Sequence, residues 1–204
     1  MKRGLRQRRL IALLTFCWLG TLCLFAGCAR TYTVSADYRP WGDPPAFTPP
    51  GREIRLSISS PRGPSDKTWY RLGPYQWLLE KEPALLVREA LKEELGFMGI
   101  SVIDDLSESH GRLGFEIRWF GPYGHDYTTA AVIISLALYS GHAAEPLWRG
   151  RIQAGAQAQE DPVTPAEKNR LVDQVLSQAL TEAVMQLRWK PGFAGAMERL
   201  DTGR

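Results

Sequence analysis

The stretch from Leu113 to Ala156 constrains the fold more than any other part of the chain. In RLGFEIRWF, Leu113, Phe115, Ile117 and Trp119 fall on one side and Gly114, Glu116 and Arg118 on the other. That period of two gives an extended strand one buried and one solvated face. Gly121-Pro122-Tyr123-Gly124-His125-Asp126 then supplies turn residues for a hairpin connection. The next run, Thr128 to Ser140, is apolar on both sides, with Val132, Ile134, Leu136 and Leu138 against Ala131, Ile133, Ala137 and Tyr139. Its β-branched residues argue against a helix, which places it in the centre of a sheet. Gly141 to Pro146 turns the chain again, and Leu147 to Ala156 sets Trp148 and Ile152 opposite Arg149, Arg151 and Gln153. Three strands joined by short turns make a meander, and its apolar face needs a second layer to cover it.

Two amphipathic segments can supply that layer. Thr164-Pro165-Ala166-Glu167 has capping-box spacing with proline at the first helical position. Leu171, Val172, Val175, Leu176, Ala179, Leu180, Ala183, Val184 and Leu187 then hold helical spacing for more than four turns. A shorter helix is expected from Ala84 to about Leu95, with Leu85, Leu86, Ala90, Leu91 and Leu95 inward and Gly96 as its C-cap. Ile54, Leu56 and Ile58 alternate in a first strand that Pro61-Arg62-Gly63-Pro64 stops, and Ile100 to Ile103 makes another short strand. The expected fold is α+β: a two-layer sandwich, an antiparallel sheet of about five strands with two helices on one face, spanning residues 53–190. Residues 191–204 are expected to form a flexible tail. Residues 28–52, with Pro40, Pro44, Pro45, Pro49 and Pro50 and no sustained apolar period, are expected to form an extended tether.

All three cysteines, Cys17, Cys23 and Cys28, lie within the first 28 residues, so the body of the protein has no thiol to pair with them. Met1 to Arg9 carries five basic residues and no acid, Leu10 to Phe25 is mostly apolar, and Ala26-Gly27 is the small pair that a signal peptidase needs. Leu24-Phe25-Ala26-Gly27-Cys28 resembles the lipobox of bacterial lipoproteins. The resemblance implies cleavage between Gly27 and Cys28, removal of residues 1–27, and covalent attachment of a diacylglycerol and an N-acyl chain to Cys28. The competing reading is an uncleaved transmembrane anchor, because Leu10 to Ala29 approaches the roughly 20 residues that span a bilayer. Five of the 25 basic residues and none of the 22 acidic ones precede Cys28, so the basic balance reflects export and points to no nucleic-acid partner. With Ala29 after the cysteine in place of Asp, the resemblance leans toward the outer membrane, facing the periplasm.

Motifs for chemistry are scarce. The chain has no Gly-x-Ser-x-Gly, no phosphate-binding glycine loop and no His-Glu-x-x-His. His110, His125 and His142 fall in predicted turns, where solvated histidines are expected in place of a metal site. No enzyme activity, cofactor or metal is expected. The aromatic density of WYRLGPYQWLLEKEP, with Trp69, Tyr70, Tyr75 and Trp77 within nine positions, fits either a core lid over the sheet edge or a partner surface.

The lipobox cysteine, the aromatic segment leading into "PALLVREAL", the strand "RLGFEIRWF", the long apolar strand, "PLWRGRI" and the terminal helix together resemble the auxiliary lipoproteins of ABC-type transporters. These accompany Mce-type substrate-binding proteins, as in the Pqi system. Tyr75, Trp77, Glu82 and Pro83 are the most specific part of the resemblance, which covers roughly Ile54 to Leu187. It implies a non-catalytic, membrane-anchored subunit that docks on an Mce-type or permease protein and helps move a lipid across the envelope. On that expectation Trp69, Tyr70, Tyr75, Trp77 and Tyr123 are the candidate partner-binding residues. The alternative is a structural or stress-related envelope lipoprotein that works as an interaction module without a transporter.

Overall fold

A computed structural model describes residues 30–42, 54–60, 69–72, 75–123, 128–159 and 164–201. Its elements, in chain order, are β1 (Arg30–Val34), β2 (Arg55–Ser59), β3 (Trp69–Leu72), β4 (Tyr75–Leu79), α1 (Pro83–Phe97), β5 (Ser101–Val102), β6 (Gly111–Pro122), β7 (Thr129–Ser140), β8 (Trp148–Gln157), α2 (Pro165–Met185) and α3 (Phe193–Asp201). The predicted meander is β6, β7 and β8, each antiparallel to the next. The whole sheet runs β5-β2-β6-β7-β8, with helices on one face, so the α+β sandwich stands.

The sheet is mixed, however, where an antiparallel one was expected. Strand β2 is parallel to both β5 and β6. Between β2 and β5 the chain makes β3, β4 and α1, and a crossover through a helix returns it parallel to the strand it left. Residues 103–110 then lead back to the start of β2, where the His110 N–H donates to the Arg55 carbonyl at 2.9 Å. So β6 also sets out beside β2 in the same direction.

Helix α2 begins on its predicted capping box. The Thr164 hydroxyl accepts from the Glu167 N–H at 3.3 Å, and the Glu167 carboxylate accepts from the Thr164 N–H at 2.8 Å. The apolar stripe from Leu171 to Leu187 is buried throughout. Helix α1 buries Leu86, Val87, Ala90, Leu91, Glu94 and Leu95, whereas Leu85 is exposed. The pairs 86/87, 90/91 and 94/95 keep helical spacing on one side, and position 85 lies off that line. The helix runs past Gly96 to Phe97, and Gly99 takes the left-handed backbone at φ 80°.

Three expectations are corrected. Trp119 does not point inward: the β6–β7 register shifts between Ile117 and Trp119, the extra residue turns Trp119 outward, 41% exposed, and Phe120 takes the buried place. Residues 30–42 are not a tether. Strand β1 pairs in parallel with β4 in a second sheet of order β1-β4-β3, and residues 35–42 then lie along α2 as a strap. The Ser35 N–H, the Ser35 hydroxyl and the Ala36 N–H all donate to Asp173 Oδ1 at 3.0, 2.9 and 3.0 Å. The Asp37 N–H donates to Ser177 Oγ at 2.9 Å and the Arg39 N–H to Thr181 Oγ1 at 3.0 Å. Asp173, Ser177 and Thr181 are spaced four apart, so they form one polar row on the helix. Residues 28–29 and 43–52, the rest of the expected tether, lie outside the described residues. Finally, the tail is helix α3, whose Phe193, Ala196, Met197 and Leu200 are buried. Trp148 meets Phe193 edge-on at 5.0 Å between ring centres, and its indole N–H donates to the Pro191 carbonyl at 3.0 Å.

Candidate functional site

The face of the large sheet away from the helices carries a groove. Strand alternation turns Arg112, Gly114 and Glu116 of β6, Ser135, Ala137 and Tyr139 of β7, and Arg149 and Arg151 of β8 onto this side. The register then aligns them in rows across the strands. Ser59, Gly114, Ala137 and Arg149 make one row, with Arg112 and Tyr139 in the row to one side and Glu116, Ser135 and Arg151 in the row to the other. Small Ser59, Gly114 and Ala137 sit among longer side chains and leave a trough of about 730 Å³, which Ser59, Ser60, Arg112, Arg118 and Arg149 border.

Guanidinium groups set the electrostatics of the trough. The Arg112 guanidinium lies 4.5 Å from the centre of the Tyr139 ring, a cation–π contact that holds it over the sheet. Arg118 donates through Nε to Ser135 Oγ at 3.2 Å and pairs with Glu116 at 2.7 Å. Arg149 and Arg151 stand exposed on β8. One carboxylate, Glu116, lines the trough with three guanidiniums, Arg112, Arg118 and Arg149, so the groove suits a carboxylate or phosphate group, which arginine recognises through paired N–H donors.

A second constellation lies at the other side of the domain, between α1 and the end of α2. The Arg188 guanidinium grips the Glu94 carboxylate through Nε and, at 2.9 Å, through Nη2, with both side chains almost wholly buried. The Tyr38 hydroxyl donates to the same carboxylate, and Arg188 Nη1 donates to the Trp41 carbonyl at 3.2 Å. Burial first, then the hydrogen bond to Glu94 and its charge, push the Tyr38 phenol far above its ordinary range. The hydrogen bond to Glu94 raises Arg188 further, fixing it as a cation. The knot joins the strap, α1 and the 3-10 turn Gln186–Trp189 that follows α2. Exposed Trp41, Phe97 and Trp189 surround it, and Phe97 lies 5.6 Å from the Arg188 guanidinium.

The sequence-predicted residues scatter. Trp77 is 1% exposed and stacks with Tyr32 at 6.3 Å, so it belongs to the core, and its expected place on a partner surface is corrected. It sits in the middle strand of the small sheet, where one face is necessarily inside. Tyr123 is 61% exposed and meets Trp119 edge-on at 6.1 Å. Trp69, Tyr70 and Tyr75 lie on β3 and β4, but their side chains are outside the described residues, as are Gly27, Cys28 and His125. His110 accepts the Arg55 N–H at its Nδ1, 3.1 Å away, and His142 is exposed in the β7–β8 turn. Among the described residues no three histidines, cysteines or carboxylates gather as metal ligands, and no helix is long and apolar enough to cross a membrane. The trough was missed because its arginines come from strands far apart in sequence, although the outward alternation of Arg149 and Arg151 marked part of it.

No protein-family model matches the chain, and no curated protein matches it in sequence. Among solved structures it is similar to a Xanthomonas campestris protein of family DUF330, with a TM-score of 0.54 and 15% identity, over 86% of this chain and 100% of that one. It is also similar to a protein from Caulobacter crescentus CB15, with a TM-score of 0.46 and 12% identity over 70% and 90% of the two chains. A third is the minor lipoprotein from Acinetobacter baumannii, at 0.44 and 11% over 72% and 94%. The first likeness is one of fold: the Xanthomonas protein has the same architecture.

Proposed function

We propose that the protein is a lipid-anchored envelope protein whose sandwich domain works without catalysis, as an auxiliary docking subunit of an ABC-type, Mce-associated lipid transport system. The observation that carries this reading is the arginine-bordered trough on the sheet face away from the helices. Arg112 and Arg118 of β6 and Arg149 of β8 converge there, with Arg151 exposed on the same face of β8, which makes a surface for an acidic segment of a partner. The lipobox supports the anchor on Cys28, and Ala29 supports the outer membrane.

Affinity purification of the acylated protein from detergent-solubilised envelopes tests the proposal, with Cys28→Ala and the pair Arg149→Glu/Arg151→Glu as controls. Recovery of an Mce-type protein, a permease and an ATPase is expected with the native chain, and their loss with the Arg149/Arg151 variant. Absence of all three with the lipid on Cys28 verified overturns the transporter role and leaves the structural envelope lipoprotein. Retention with the charge-reversed variant moves the docking surface to Trp41, Phe97 and Trp189.

A further inference from the structure

The fold fixes which end of the domain meets the anchor. The Asn169 side-chain amide donates to the Thr33 carbonyl at 3.1 Å, and the strap then climbs α2 through Asp173, Ser177 and Thr181. Arg30, the first residue of β1, therefore lies at the end of the domain where α2 begins. The β6–β7 connection and the end of β8 lie at that same end, since the Ala158 N–H donates to the Thr128 carbonyl at 2.8 Å and α2 follows β8 after a short connection. Only Ala29 separates Arg30 from Cys28, and two residues reach at most about 7 Å. A lipid on Cys28 cannot hold the domain at a distance.

At this end Trp119 and Tyr123 stand together, 41% and 61% exposed. Hydrogen bonds tie down the backbone around them. The Trp119 indole N–H donates to the Gly121 carbonyl at 3.3 Å, the Tyr123 N–H donates to the Thr129 carbonyl at 3.0 Å, and the Thr129 hydroxyl donates to the Tyr123 carbonyl at 2.5 Å. Tryptophan and tyrosine have an apolar body and a polar tip, and they gather at the headgroup level of bilayers.

We propose that this end of the domain lies on the membrane surface, with Trp119 and Tyr123 inserted among the lipid headgroups beside the acylated Cys28. The inference rests on the lipid anchor of the proposed function. It orients the molecule: the aromatic knot end, with Trp41, Phe97 and Trp189, faces away from the bilayer, and the arginine trough stands upright on the side of the domain.

The test uses the acylated protein in phosphatidylethanolamine/phosphatidylglycerol vesicles carrying a spin-labelled phospholipid. The Cys28 sulfur is blocked by its lipid, so one added cysteine takes an environment-sensitive fluorophore. Tyr123→Cys and Gln159→Cys report on the proposed membrane end, the second with the aromatic pair intact, and His142→Cys reports on the opposite end. Quenching several-fold stronger at 123 and 159 than at 142 is expected. Equal quenching at all three, or stronger quenching at 142, with acylation of Cys28 verified by mass spectrometry, overturns the orientation and leaves the anchor standing. An unmodified Cys28 overturns the anchor and the orientation with it.

Discussion

Glu94 and Arg188 bury opposite charges completely, and their worth depends on both being present. Two desolvated ions repay their transfer from water only through each other and through added hydrogen bonds, here the Tyr38 hydroxyl and the Trp41 carbonyl. Glu94→Ala strands the Arg188 guanidinium and is expected to cost about 3–5 kcal/mol, measured by urea unfolding. The double variant Glu94→Leu/Arg188→Met removes both ions and should recover most of that loss. Tyr38 adds a dependence on pH. Its folded phenol is held well above the ordinary value, so the neutral form stabilises the fold fully below about pH 10, the unfolded value, and that contribution fades as pH rises beyond it. Unfolding midpoints measured from pH 8 to 11 should fall more steeply for the native chain than for Tyr38→Phe, and parallel curves would show that Tyr38 is not the group responsible.

At the scale of elements, α3 separates a packed helix from the flexible tail that glycine and proline at 191–192 predict. Leu200 lies against Gly111, where an added Cβ would come within 2.9 Å of it and 2.5 Å of the Tyr139 carbonyl oxygen. Leu200→Ala is expected to cost about 2–5 kcal/mol in thermal or urea unfolding, while a frayed tail would show no change. The sequence made legible what local periodicity carries: the β6–β8 meander, the capped start of α2 and the buried stripe from Leu171 to Leu187. Elements whose partners are remote were hidden. Nothing in Arg30 to Val34 announces pairing with Tyr75 to Leu79, and the acceptors of the strap, Asp173, Ser177 and Thr181, look like an ordinary solvated helix face. Helix α3 was legible in principle, since Phe193, Ala196, Met197 and Leu200 keep i, i+3, i+4, i+7 spacing, but Pro191-Gly192 reads as the end of order. The trough and the Glu94 knot follow from strand register and helix approach, which one-dimensional spacing does not contain.

For the whole molecule, the N-terminal strand and strap make the anchor part of the fold. Asp173 Oδ1 takes three hydrogen bonds from Ser35 and Ala36, Val34 and Ala36 are buried, and Tyr38 completes the knot at Glu94. A chain beginning at Asp43 loses all of these together. The Asp173 carboxylate then trades fixed donors for water, and the Glu94–Arg188 pair loses two of its neighbours. Strand β4, paired on both sides in the native order β1-β4-β3, becomes an edge with free N–H and C=O groups, which invites pairing with another chain. The expected outcome is a lower unfolding midpoint and concentration-dependent self-association, read by urea unfolding and analytical ultracentrifugation against a chain beginning at Ala29. A midpoint and sedimentation behaviour unchanged by the truncation would mean that residues 30–42 only rest on the domain. The distinction reaches function, because a strap integral to the fold transmits the position of Cys28 rigidly to the sheet, whereas a loosely resting one would let the domain swing on its anchor.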